Sequence, residues 1–408
     1  MYPIEMQDNY SGDFSSDIEQ SLRDFRNGCL SGIPVSPKEL AYFQRIRRLF
    51  VPQGQLETWR ADPILLTRMQ SALRRHGCAA HELQIFLSEW FLNEPTFDQD
   101  ANGLAGAHRL LGEGHHRRCE LGDGSAADFD DAFSHYHAAL DHYTATESAE
   151  DVVTIRHELG RLFDLQGDRT AALDEFRLAL AAFPEGGDRQ EWAEIQNDLA
   201  MTLLKGDEAD APEAAIRHLE LAMQEVNKSE LPELRCTLIE GLGIAYRFRV
   251  CGDECENLKI ATQYYSQALS GFAAFDDDYG CARMRGELGA VWLSRTTLGE
   301  SDFSRDALDC SRLAQSFYDR AEKPYEWAKL EYQIGSALIA GSSGDNPDNR
   351  KMASIHFRNA MEVYETLDKG FLARGVREIL SLNEEAVRLL DERRIGAIHL
   401  IVRPSPEL

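Results

Sequence analysis

QEWAEIQNDLAMTLLK (190–205) and the APEAAIRHLELAMQEV that follows it at 211–226 decide the fold of this chain. In the first stretch Trp192, Ile195, Leu199 and Leu203 recur at steps of three and four residues, which is one apolar face of a helix. The second begins with Pro212, tolerated in a first helical turn because the N–H it lacks has no intrahelical partner there. Ala215, Leu219 and Ala222 then fall on one stripe. Small residues on facing stripes let two antiparallel helices approach closely, and the large side chain between them fills the space toward the next pair.

The frame is not local. A small residue follows an aliphatic one at Leu111-Gly112, Leu159-Gly160, Leu199-Ala200, Leu242-Gly243, Leu288-Gly289 and Ile334-Gly335, and each is answered by Ala139, Ala179, Ala222, Ala268, Ala314 or Ala360. From each of the first five alanines to the next small-residue position is always 21 residues, and such constancy needs a fixed contact between stacked units. The second stretch of each unit repeats A-x3-(large)-x2-A: Ala132/Tyr136/Ala139, Ala172/Phe176/Ala179, Ala261/Tyr265/Ala268 and Ala353/Phe357/Ala360. In the fifth unit Ser311 replaces the large residue, so that contact is expected to be looser. After Ala360 another 21 residues lead to Leu380-Ser381, and 371–391 reads as a lone closing helix.

These residues resemble the tetratricopeptide repeat, whose pattern is L-G-x2-Y, then A-x3-F, a small residue and P. The second unit matches best, with Leu159-Gly160, Phe163, Ala172, Phe176, Ala179 and Pro184. The family period is about 34 residues, whereas successive units here are spaced 48, 40, 43, 46 and 46 residues. Longer helices would explain the fixed joint. The variation falls inside each pair, where GDEADAP, VCGDECEN, TTLGESD and AGSSGDNPDN are inserted. The resemblance implies an all-α, right-handed solenoid of about six hairpins plus a capping helix over 98–391, preceded by a small helical module at 17–97. Residues 1–16 read as disordered, and 392–408 as an extended tail that packs on the cap, stays mobile or occupies a neighbour's groove.

In the family that the chain resembles, first helices line a concave groove that holds a protein or peptide. Carried over by position, the groove takes Arg109, His116 and Arg117 from the first unit and His157 and Arg161 from the second. The third gives Asn197, Met201 and Lys205, and the fourth Glu240, Ile244, Arg247 and Phe248. Arg283 comes from the fifth, and Lys329 and Tyr332 from the sixth. Over all thirty such positions seven are Arg or Lys and four are Asp or Glu. A net-positive groove would select an acidic segment with apolar anchors.

Composition narrows the rest. A formal net charge of −26 repels duplex nucleic acid and anionic membranes. No stretch approaches the roughly 18 apolar residues of a membrane span, and the first residues resemble no signal peptide. With eight scattered cysteines, a cytoplasmic protein with reduced thiols is expected. The stretch from Lys38 to His76 is locally basic, which reads as an internal partner for the acidic repeats or a solvated face. A nucleic-acid surface there lacks any motif.

Seven of twelve histidines fall between 108 and 157, yet His115, His116 and Cys119 lack the second ligand pair that zinc requires. Cys251 and Cys255 stand among acidic neighbours, which disfavour a thiolate. No phosphate loop, nucleophile elbow or H-E-x-x-H occurs. The expectation is a non-enzymatic interaction scaffold or adaptor without metal or cofactor. The alternative is a peptide-sensing regulator whose amino-terminal module is switched by ligand in the array, and less favoured are a metal- or nucleic-acid-binding protein or an enzyme.

Overall fold

The computed structural model describes residues 101–121, 124–226 and 231–391, together with Ile85, Ser88, Glu89 and Leu92. The expectations for 1–16, for most of 17–97 and for 392–408 lie outside the described residues; the four described positions before 93 are helical. Every regular element among the described residues is helical, and they fall into two compact units, one ending at Gly187 and one beginning at Asp188.

The first unit contains α1 (Ala101–Glu120), α2 (Ala126–Ala145), α3 (Ala149–Gln166) and α4 (Arg169–Ala182). The second contains α5 (Arg189–Leu204), α6 (Ala211–Glu225), α7 (Pro232–Arg247), α8 (Glu254–Ala274), α9 (Asp278–Thr297), α10 (Ser304–Gln315), α11 (Pro324–Ile339), α12 (Pro347–Thr366) and α13 (Gly370–Asp391). A 3-10 turn at Gly341–Asp345 precedes α12, inside the AGSSGDNPDN insertion. In each unit consecutive helices pack on one another, and first helices of neighbouring hairpins touch, as α1 does α3, α5 does α7 and α9 does α11. The lengthening expected from the long period is uneven: α8 has 21 residues and α9 and α12 have 20 each, whereas α4, α6 and α10 have 14, 15 and 12.

The glycine positions are where the two helices of a hairpin meet. A Cβ on Gly112 would lie 2.6 Å from the Tyr136 ring, on Gly160 2.5 Å from Phe176, on Gly243 2.7 Å from Tyr265, and on Gly335 2.7 Å from Phe357. Each ring is fully buried. The large residue therefore packs on the glycine of its own hairpin and, as expected, also joins the core of the next, Tyr136 with Ile155 and Leu159, Tyr265 with Met284 and Leu288, and Phe357 with Val376. The glycine–ring contact recurs although the spacing inside each pair varies, and it makes the chain a tetratricopeptide-like helical repeat protein.

The fifth hairpin corrects one expectation. A Cβ on Gly289 would lie 2.5 Å from Ser311 Oγ and 3.3 Å from the backbone carbonyl oxygen of Ala307. Ser311 is fully buried, and its hydroxyl donates to Gln333 Oε1 at 3.2 Å. Losing the ring lets the backbones close in, so the contact is no looser.

Three of the joints between hairpins are tight turns. Glu147, Asp276 and Asp368 take φ of 57°, 56° and 54°, each just past the end of a second helix. Behind them Ser148 N–H reaches the Tyr143 carbonyl (3.0 Å), Asp277 that of Phe272 (3.0 Å) and Lys369 that of Tyr364 (2.8 Å). These six-to-one bonds satisfy carbonyls that the helix end leaves open. The closing helix α13 buries Ala373, Val376, Ile379 and Leu380 against Phe357, Val363 and Tyr364 of α12.

Candidate interaction face

The first helices of each unit carry the predicted groove positions, and their side chains interlock from hairpin to hairpin. In the first unit Arg109 lies 3.7 Å from both Glu113 and Asp151. Arg161 reaches Glu120 at 3.2 Å and Glu158 at 3.4 Å, while Arg117 pairs with Glu120 at 2.5 Å. His116 is buried, its Nδ1 3.3 Å from the Tyr136 hydroxyl and 3.3 Å from Glu158. Burial alone would raise the Glu158 carboxyl, but the His116 hydrogen bond and Arg161 outweigh it and hold it at about 2. His157 is buried with its ring against Phe176.

In the second unit the cations form a ladder across three first helices. Arg283 on α9 donates to the buried Glu240 of α7 at 2.6 Å. Glu287 on α9 accepts from Arg247 of α7 and, at 2.7 Å, from Lys329 of α11. Burial raises the Glu240 carboxyl, with Arg283 pulling the other way. At Glu287 the same effect of burial loses to Lys329 and Arg247, and that carboxyl sits at about 2. Phe248 is 42% exposed beneath the Arg247 guanidinium (5.1 Å), and Ile244, Met201 and Leu204 are half-buried. Lys205 is exposed.

Two expectations fail here. In neither unit is the first-helix face net positive, because Arg109, Arg117 and Arg161 in the first and Arg247, Arg283 and Lys329 in the second pair with carboxylates. Nor do all the named positions line it. Tyr332 is 3% exposed and packs 5.9 Å from Phe357 in the core, and Asn197 is buried beside Asp198. Glu158 and Glu287 went unrecognised in the sequence. Both stand two residues before the small-residue position, as Asp198 does, and that recurring acid was the available signal.

Four of the side chains in the histidine-rich segment form a column between α1 and α2. His108 Nδ1 and His135 Nδ1 are 3.0 Å apart, and the His142 and His115 rings extend the column at 6.3 and 6.1 Å. His115 ends it on Asp128, 3.0 Å away. Burial, with His108 and His115 adding to it, pushes His135 down to about 4. Among the described residues no group of three or more His, Cys, Asp or Glu side chains is placed to hold a metal ion. Cys251 is exposed in the α7–α8 loop, and burial together with Asp128 pushes the Cys119 thiol up to about 11. No described helix is long and apolar enough to cross a membrane.

No family model and no curated protein matches the chain. Among solved structures it is similar to a Rap protein complexed with competence and sporulation factor, at 12% identity and a TM-score of 0.43, over 93% of this chain and 99% of that one. It is also similar to aspartyl phosphate phosphatase F from Bacillus subtilis, at 11% identity and 0.49, over 96% and 99%. BtubC from P. vanneervenii matches at 16% and 0.30, over 74% and 92%. These are likenesses in helix arrangement, at identities too low to transfer a ligand or an activity.

Proposed function

We propose that this protein is a non-enzymatic interaction scaffold that receives a segment of another protein on the first-helix face of its second unit. The observation that carries this reading is the ladder Glu240–Arg283 and Arg247–Glu287–Lys329, which crosses α7, α9 and α11. Arg283 and Lys329 keep 36% and 31% of their side-chain surface open while tied to a carboxylate. A half-exposed pair held in fixed geometry offers directed donors whose ordering entropy has already been lost on folding. Beside it Phe248 supplies an apolar anchor. The partner segment brings carboxylates for Arg283 and Lys329 and an apolar side chain for Phe248. It must compete with Glu240 and Glu287, so the preference for acid is weaker than an unpaired groove would give.

The partner is identified by co-purification from the native cell, and its binding is then measured against variants. Arg283→Glu with Lys329→Glu is expected to weaken it at least tenfold. Arg217→Glu, an exposed site on α6, changes it less than about threefold, because charges away from the ligand are worth ~0–1 kcal/mol. Equal losses from both would place the partner elsewhere.

A further inference from the structure

The second unit exposes aromatic side chains at one repeating place. Tyr279, Tyr325 and Phe371 are each the second residue of a first-type helix (α9, α11 and α13), and each stands ten residues before the small residue of its helix. They are 41%, 43% and 59% exposed. Phe317, in the turn after α10, is 44% exposed, and its ring lies 6.0 Å from Tyr279 and 5.3 Å from Tyr318. Tyr279 and Tyr318 are 6.2 Å apart. Single exposed rings need no explanation, but Tyr279 and Phe317 touch one another, and exposed rings at a position that recurs from hairpin to hairpin mark an interaction edge.

The charge of this edge selects its occupant. Segments 276–280 and 316–326 hold Asp276, Asp277, Asp278, Asp319, Glu322 and Glu326 against Arg320 and Lys323, a balance of two minus six, or −4. Arg320 is committed to Glu362 at 3.3 Å. Guanidinium groups already stack on rings here, Arg283 5.4 Å over Tyr279 and Arg320 5.0 Å over Trp327. Exposed rings among carboxylates attract cations through the ring faces and through Coulomb attraction together. The net charge of −26 steers a basic partner toward the molecule from a distance.

Spacing sets the partner's conformation. α9 and α11 are in contact, and packed helices stand about 8–10 Å apart. A polyproline II segment advances about 9 Å in three residues, so one side chain in three meets each successive helix start. We propose that this edge binds an extended, proline-containing segment of a partner protein with Arg or Lys at every third residue. This second surface adjoins the ladder, since Arg283 stacks on Tyr279, but its occupant is held by the outer rings and carboxylates, so either can hold without the other.

The test uses the full-length protein and a fluorescent peptide of repeating Lys-Pro-Pro, followed by anisotropy. The peptide is expected to bind, and its Glu-Pro-Pro counterpart to fail. Phe317→Ala and Tyr325→Ala should each weaken binding about two- to fivefold, the worth of one exposed cation–π contact, and together about tenfold. Asp278→Lys with Glu326→Lys should abolish it. Phe248→Ala, on the ladder face, should leave it within twofold. Thermal unfolding confirms that these exposed substitutions keep the fold. Equal binding of both peptides, or affinity that survives loss of both rings, would overturn the proposal. So would sedimentation showing a dimer that Phe317→Ala dissociates, because a second copy would then own the edge.

Discussion

Gly286 and Gly289 lie three residues apart on α9 and meet different surroundings. The nearest atom to a Cβ on Gly286 is Leu330 Cδ2 at 3.5 Å, ordinary contact, whereas on Gly289 it is Ser311 Oγ at 2.5 Å with the Ala307 carbonyl behind it. Ser311 cannot rotate away without losing its buried bond to Gln333. Gly286→Ala is therefore expected to stabilise the protein by about 0.5–1 kcal/mol through helix propensity. Gly289→Ala should cost ~1–3 kcal/mol through overpacking, and urea unfolding midpoints compare the two directly. Glu287 gives a prediction of another kind. Its carboxyl is held at about 2 against roughly 4.3 in an unfolded chain. A depressed carboxylate contributes stability that is complete above the unfolded value and disappears as pH falls through the folded one. Glu287→Gln should cost roughly 3 kcal/mol at pH 7, since two cations lose a half-buried partner. It should also flatten the fall of stability between about pH 4.3 and 2, and unfolding free energies measured across that window decide the matter.

At the scale of the helices and their joints, the turn residues are where the chain departs from the best local choice. Glu147 and Asp276 adopt a left-handed backbone that costs a side chain of this kind ~1–2 kcal/mol, and both are exposed. Glu147→Gly and Asp276→Gly should each raise stability by about 0.5–1 kcal/mol, and a thermal midpoint that fails to rise would refute the reading of these turns. Nothing in the sequence announced them, because the usual glycine is absent. The small residues at the crossings were legible for the opposite reason. Close approach admits only Gly or Ala, so Gly112, Gly160, Gly243, Gly289 and Gly335 record a contact made by the helix as a whole. Long side chains carry no such record. The resemblance marked Arg283 and Lys329 as groove residues, but their partners Glu240 and Glu287 lie 43 and 42 residues away in sequence, set by stacking that periodicity alone does not resolve. Tyr332 was misplaced for the same reason, since the frame gives a position along the helix and only packing on Phe357 decides which way the ring faces.

At the scale of the molecule, contacts within each unit run chiefly between helices adjacent in the chain and between neighbouring first helices. In such a stack, stability is close to a sum of hairpin terms and nearest-neighbour interfaces, so damage at one end need not reach the other. The closing helix α13 provides the test. Its inner face, with Val376 fully buried, completes the core around Phe357 and Tyr364, while Arg374, Arg377, Glu378, Glu384, Glu385 and Arg388 face outward. That polar outer face stands where another hairpin would otherwise have to cover apolar surface. Val376→Asp buries an unpaired carboxylate and should detach α13 at a cost of roughly 3–5 kcal/mol. Hydrogen exchange should then accelerate in α12 and α13, where Phe357 and Tyr364 lose their cover, while α5 to α7 keep their protection. A uniform rise in exchange along the whole second unit would mean that it unfolds as one cooperative body, and that the hairpins do not hold their stability separately.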